Sequence, residues 1–134
     1  MERGRRLRLL LDTHALIWWT INSPRLSRAA SEMIADPARV ILFSSVSTME
    51  ICTKHRLGKL PEASVLARAF EAEMAVEGFI ELPLTARHTQ LAGNMLIANK
   101  DPFDRMLIAQ SILEGIPLVS NEAGFDMFGV SRIW

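Results

Sequence analysis

The sequence has one cysteine, no net charge and no apolar run long enough to cross a membrane. The lone Cys52 excludes an intramolecular disulfide and argues against a cysteine-built zinc site. It suits a reducing compartment, so a cytoplasmic location is expected. No stretch approaches the ~18 apolar residues of a spanning helix, so no membrane role is expected. The opening MERGRRLRLLLDTHALIWW places basic residues before apolar ones, as a signal peptide does, but Asp12 and His14 interrupt the apolar stretch. Fifteen basic and fifteen acidic residues cancel, whereas a nucleic-acid binder usually carries net positive charge. That balance leaves distribution open, because clustered carboxylates can offset cations that track a phosphate backbone. There is no low-complexity linker and no internal repeat. The chain also lacks a Walker lysine loop, an H-E-x-x-H zinc helix and any D-x-D pair, which argues against receiver-like or other phosphotransfer domains.

What is present fits one cored domain, expected over 1–134. A chain of 134 residues buries roughly two-thirds of its unfolded surface. Its 49% hydrophobic content supplies that core and leaves apolar surface for self-association or a partner.

Short apolar runs alternate with longer helix-forming stretches. Leu7 to Leu11 reads as a buried strand ending at Asp12, and Thr13 to Thr20 as a helix broken at Asn22-Ser23-Pro24. Ser27 to Ala35 is a second helix and Val40 to Phe43 a second strand. Ser47 to Arg56 is helical and stops at Gly58; Ser64 to Glu77 is helical and stops at Gly78. Phe79 to Leu82 reads as a third strand and Thr85 to about Ala92 as a helix. Asp101-Pro102 opens a long helix, Phe103 to Glu114, capped by Gly115. Pro117 to Ser120 is a fourth strand, followed by a short helical turn and an edge strand near Ser131 to Trp134. This alternation predicts an α/β fold, a three-layer α/β/α sandwich around a mostly parallel sheet.

In such a fold, strand carboxyl ends and helix amino ends share one edge, where ligands bind. Asp12 follows the first strand, and Glu50 is expected in the first turn of the helix after the second strand. Asp104 falls in the first turn of the long helix and Glu122 two residues past the fourth strand. Four acids distant in sequence thus converge, and their mutual repulsion calls for a neutralising cation. Mg2+ suits this role, taking one or two carboxylates and keeping waters, and a bound Mg2+ activates water against a phosphodiester. Each acid also has a purely structural reading. Ser47-Thr48-Met49-Glu50 matches a capping box, Asp101 to Asp104 resembles one, and Asp12 can cap its helix.

The segments LLLDTHALIWW, SSVSTMEICTKHRLGKL, DPFDRMLIAQSILEGIPLVSNEAGFDMFGV and SRIW resemble those of PIN-domain proteins of the VapC type, in the family's order from Leu9 to Trp134. The resemblance implies a PIN-like fold and cleavage of RNA phosphodiester bonds with Mg2+ or Mn2+. It also implies a homodimer and inhibition by a small VapB-like antitoxin whose tail enters the site. The family's acids fall on Asp12, Glu50 and Asp104. Its fourth position, Thr-x-Asp, reads Ser120-Asn121-Glu122 here. Ser120 keeps a supporting hydroxyl, while Glu122 keeps the charge on a longer side chain. Met49 replaces a tryptophan common in relatives, a packing difference. A PIN-like module that binds RNA or a partner but cleaves poorly is the alternative.

The remaining polar residues are weaker candidates. Lys54, with His55, Arg56 and Lys59, continues the helix of Glu50 and could approach an RNA backbone, as could Arg105 beside Asp104. Arg3, Arg5, Arg6 and Arg8 read as a solvated terminus. His14 could support Asp12. Trp18 and Trp19 read as core or dimer surface.

Overall fold

The computed structural model describes residues 7–96 and 101–134. Five strands, β1 (Leu7–Leu11), β2 (Arg39–Ser44), β3 (Ile80–Leu82), β4 (Leu118–Val119) and β5 (Arg132–Ile133), form one sheet in the order β3-β2-β1-β4-β5. Every neighbouring pair is parallel, with Leu10 aligned to Leu42 on one side and Leu118 on the other. The helices are α1 (Thr13–Thr20), α2 (Arg28–Ala35), α3 (Ser45–Arg56), α4 (Ser64–Glu77), α5 (Ala86–Asn94) and α6 (Pro102–Glu114). A short turn at Pro61–Ala63 and a 3-10 segment at Ala123–Phe128 complete the described elements.

The strands are apolar on both faces because both faces are covered. Leu9, Leu11, Ile41, Phe43 and Val119 pack with residues of α1 to α4, including Leu16, Ile51, Leu66 and Phe70. The alternate residues Leu10, Leu42 and Leu118 pack with Ile108 of α6, Ile116 and Phe125. This division is the three-layer sandwich expected from the sequence. Leu9, Leu10 and Leu11 are fully buried, each stabilising the fold by about 1.5–3 kcal/mol.

Buried polar side chains tie the layers together. Ser44 donates its hydroxyl to Gln110 Oε1 at 2.5 Å, and Gln110 Nε2 donates to the carbonyls of Leu82 and Pro83 at 3.3 Å. His88, 2% exposed, accepts the Thr85 N–H on Nδ1 at 3.0 Å. The proton therefore sits on Nε2, which donates to Glu114 at 2.9 Å and pins α5 to α6.

One boundary differs in a way that matters. α3 begins at Ser45, not Ser47, because the Ser44 hydroxyl accepts the Val46 N–H and supplies the cap. Glu50 therefore sits in the second turn, and the expected capping box of Ser47 with Glu50 does not form. α2 starts at Arg28, one residue later than expected, and Ser27 instead caps it by accepting the Ala30 N–H. Arg8 is exposed on β1, while Arg3, Arg5 and Arg6 lie outside the described residues.

Candidate active site

The sheet order turns back at β1, whose successors β2 and β3 lie on one side while β4 lies on the other. The carboxyl ends of β1 and β4 flank that switch point, where open parallel sheets bind ligands. A recess of ≈ 230 Å³ opens there, lined by Asp12, Thr13, His14, Glu50, Lys54, Asp101, Asp104, Leu107 and Glu122. Asp12, Glu50, Asp104 and Glu122, drawn from four regions of the chain, thus meet at one place.

Asp12 occupies the turn from β1 into α1. It caps the helix by accepting the Ala15 N–H at 2.8 Å while lining the recess. It is 5% exposed, and burial pushes its carboxyl from 3.8 up to about 6. Hydrogen bonds from Ser120 and Ala15 and the neighbouring His14 act the other way, and the charge of Glu50 adds a smaller upward push. Burial, more than the mutual repulsion expected from sequence, thus dominates the shift.

Glu50 is 3% exposed and held at both oxygens. The Thr13 hydroxyl donates to Oε1 at 2.6 Å, and Lys54 Nζ sits 2.5 Å from Oε2. Thr13 also pairs with the Ser47 hydroxyl at 2.9 Å. Ser47, freed from capping by the earlier helix start, becomes a buried support instead. Lys54 lies one helical turn beyond Glu50 and 3.9 Å from Asp101 Oδ2. Burial alone would lower its pKa, but the hydrogen bond and charge of Glu50, then the charges of Asp101 and Asp104, outweigh it and raise it.

Asp104 enters the recess from the first turn of α6, which Asp101 caps by accepting the Phe103 and Asp104 N–H groups at 2.9 and 3.3 Å. Ser120 is fully buried behind Asp12, and its Oγ accepts the Glu122 N–H at 3.1 Å. Glu122 lines the mouth of the recess and is exposed.

Arg105, a candidate RNA contact in the sequence, is engaged with backbone carbonyls. Its guanidinium donates from Nε to the Ala92 carbonyl at 2.9 Å and from Nη2 to the Met95 carbonyl, closing the end of α5. It lines a small cavity between α5 and α6 instead of the acidic recess. Alternation along α6 explains this, since adjacent residues on a helix face different ways. Met49, expected as a packing difference, is 63% exposed. Trp18 is buried in the core, and Trp19 packs against it while donating its indole N–H to Glu77 at 2.9 Å.

Two polar lining residues were not singled out from sequence as site residues. Thr13 gave no signal beyond following Asp12. Asp101 had one, the doubled acid of DPFD, but reads as a cap.

The donor set fits a hard divalent cation. The lining offers carboxylate oxygens, a buried Asp12 whose anionic form lacks solvation, and an ammonium already drawn against Glu50. Among the described residues no three acid, histidine or cysteine side chains close into a ready cage. An open arrangement still suits Mg2+, which retains waters and needs few protein ligands.

The PIN domain family model matches residues 9–129. The chain belongs to the PIN domain family. No curated protein matches it significantly. The PIN fold seen here is similar to that in VapBC2 from Rickettsia felis bound to a DNA fragment from their promoter, at 17% identity and TM-score 0.66, covering 95% of this chain and 98% of that one. It is similar also to Mycobacterium tuberculosis VapC20, a sarcin-ricin loop cleaving toxin, at 18% identity and TM-score 0.66, covering 91% and 95%. FitAcB from Neisseria gonorrhoeae shares the fold at 15% identity and TM-score 0.61, covering 94% and 96%.

Proposed function

We propose that this PIN domain is a divalent-metal-dependent endoribonuclease acting in the cytoplasm as the toxin of a type II toxin–antitoxin pair. The carrying observation is the recess at the switch point, where Asp12, Glu50, Asp104 and Glu122 converge with Lys54 among them. RNA as substrate is supported by likeness to a toxin that cleaves the sarcin-ricin loop, and a VapB-like antitoxin by likeness to a VapBC complex. A homodimer is part of the same reading.

In this site Asp12, Glu50 and Asp104 would hold Mg2+ or Mn2+, with Glu122 assisting from the mouth. Bound there, the ion supplies Lewis-acid activation for attack on a phosphodiester and stabilises charge on the leaving oxygen. Ser120 positions Asp12 through its hydroxyl, and Thr13 positions Glu50 through Oε1. Leu107 floors the recess and limits water on that side. The Lys54 ammonium, 27% exposed, can reach a phosphate at the rim.

Incubating total RNA with the protein and Mg2+ or chelator tests the reading. Cleavage by wild type with Mg2+, lost with chelator and in Asp12→Asn, is expected. Cleavage that survives both would overturn it. The exposure of Glu122 favours one second reading, a PIN module that binds RNA or a partner and cleaves poorly. On that reading Glu122→Asp would restore metal affinity and cleavage that the wild type lacks.

A further inference from the structure

We infer that Lys54 is a built-in counter-cation of the recess, seated on Glu50 and displaced when a divalent ion binds. The inference rests on the metal-site reading above and concerns a residue whose role there is otherwise only to meet phosphate.

Glu50 is almost completely buried, and a lone carboxylate in that position would be costly. One oxygen is satisfied by the neutral Thr13 hydroxyl at 2.6 Å, which has no reason to leave when a cation arrives. The other oxygen faces Lys54 Nζ at 2.5 Å, and the same ammonium reaches towards Asp101 Oδ2 at 3.9 Å. Among the described residues that line the recess, Lys54 is the amine set among five carboxylates. It therefore occupies the face of Glu50 that a metal ion would use. Two cations on one carboxylate oxygen repel strongly at contact distance, so one must go.

Lys54 is built to go. Its four-carbon stem is flexible and its head is 27% exposed, so the ammonium can swing to solvent, while the Phe103 ring, 5.8 Å from Nζ in its present seat, is a weak hold. The buried Glu50 is neutralised by Lys54 in the metal-free site, and divalent affinity is weakened by the strength of the contact that must be broken.

The test is titration of the full chain with Mn2+ by calorimetry. Lys54→Met and Lys54→Gln should bind Mn2+ about tenfold more tightly than wild type, the low end for a charge-assisted hydrogen bond because the ammonium is partly exposed. Arg28→Met removes the same charge from an exposed pair on α2 and should leave the Mn2+ affinity within about twofold. On the wild type, saturating Mg2+ should speed acetylation of Lys54, read by mass spectrometry, because the amine is released from Glu50. This measurement needs no variant to fold. Unchanged or weaker Mn2+ binding in both folded Lys54 variants, or Lys54 acetylation that Mg2+ leaves unchanged or slows, would overturn the inference. If wild type binds Mn2+ and Asp12→Asn does not, such a result sinks the role of Lys54 alone. If neither wild type nor the Lys54 variants bind Mn2+, the metal site itself fails with it.

Discussion

Replacing Asp12 by asparagine should remove one defined component from the pH dependence of folding stability. Burial holds the folded carboxyl at about 6, against 3.8 for the ordinary group. Between those values the folded chain keeps a proton that the unfolded chain releases. Stability from this group is therefore greatest below pH 3.8, falls as pH rises, and levels off above about 6. The gap corresponds to about 3 kcal/mol at 1.36 kcal/mol per pH unit. Asparagine keeps the oxygen that accepts the Ala15 N–H, so the helix cap survives while the titration does not. Urea unfolding of both proteins at intervals from pH 4 to 7.5, without divalent ions, gives the comparison. The stability of Asp12→Asn relative to wild type should rise by about 2.4 kcal/mol across that range, the remainder of the shift falling below pH 4 and other titrating groups cancelling between the two. Adding Mg2+ at pH 7.5 should stabilise wild type and narrow the gap, since the ion favours the ionised carboxylate. A difference that stays flat, or that falls with rising pH, would refute a desolvated Asp12.

Other perturbations have equally direct expectations. Thr13→Val leaves Glu50 Oε1 and the Ser47 hydroxyl without their partner and should cost about 1–3 kcal/mol by urea unfolding, whereas Thr13→Ser should stay close to wild type. His88→Leu should cost a similar ~1–3 kcal/mol and raise hydrogen exchange in α5, because the link from Thr85 to Glu114 is lost. Gly115→Ala forces a side chain into the left-handed conformation that ends α6, at φ 66°, and should cost about 1–2 kcal/mol in the same assay.

The fold was legible because its strongest signals are local. Leu7 to Leu11 is apolar without alternation and ends at an aspartate, which marks a doubly covered strand and the turn after it. Gly78 and Gly115 take the left-handed conformation expected where α4 and α6 stop. Ambiguity entered where capping residues compete. Ser44, Ser45 and Ser47 are all acceptable caps, and burial of Ser44 against Gln110, a contact between residues 66 apart, belongs to tertiary structure. That choice moved Glu50 by half a turn and made Ser47 a support instead of a cap. The kink at Ala69 inside α4 left no mark in a stretch of good helix formers.

The site was legible as a set of acids and less so as an electrostatic device. Topology placed Asp12, Glu50, Asp104 and Glu122 on one edge, because each lies just past a strand end or in the first two turns of a helix. The pairing of Glu50 with Lys54 could be read as an ordinary i to i+4 contact, but not that it is sunk in the site. Arg105 lines a different cavity from Asp104, because sequence adjacency says nothing about which way a helical side chain points. The capping and site readings of Asp12 stand as alternatives in the sequence, yet one carboxylate both caps α1, with one oxygen turned to Ala15, and lines the recess.

Crystals soaked in Mn2+ and measured for anomalous scattering test most directly whether these acids form a metal centre. A peak inside the recess is expected, bonded to Asp12 and to at least one of Glu50 and Asp104, with Lys54 moved off Glu50. A recess with no peak at saturating Mn2+, or an ion held only by residues elsewhere, would contradict it.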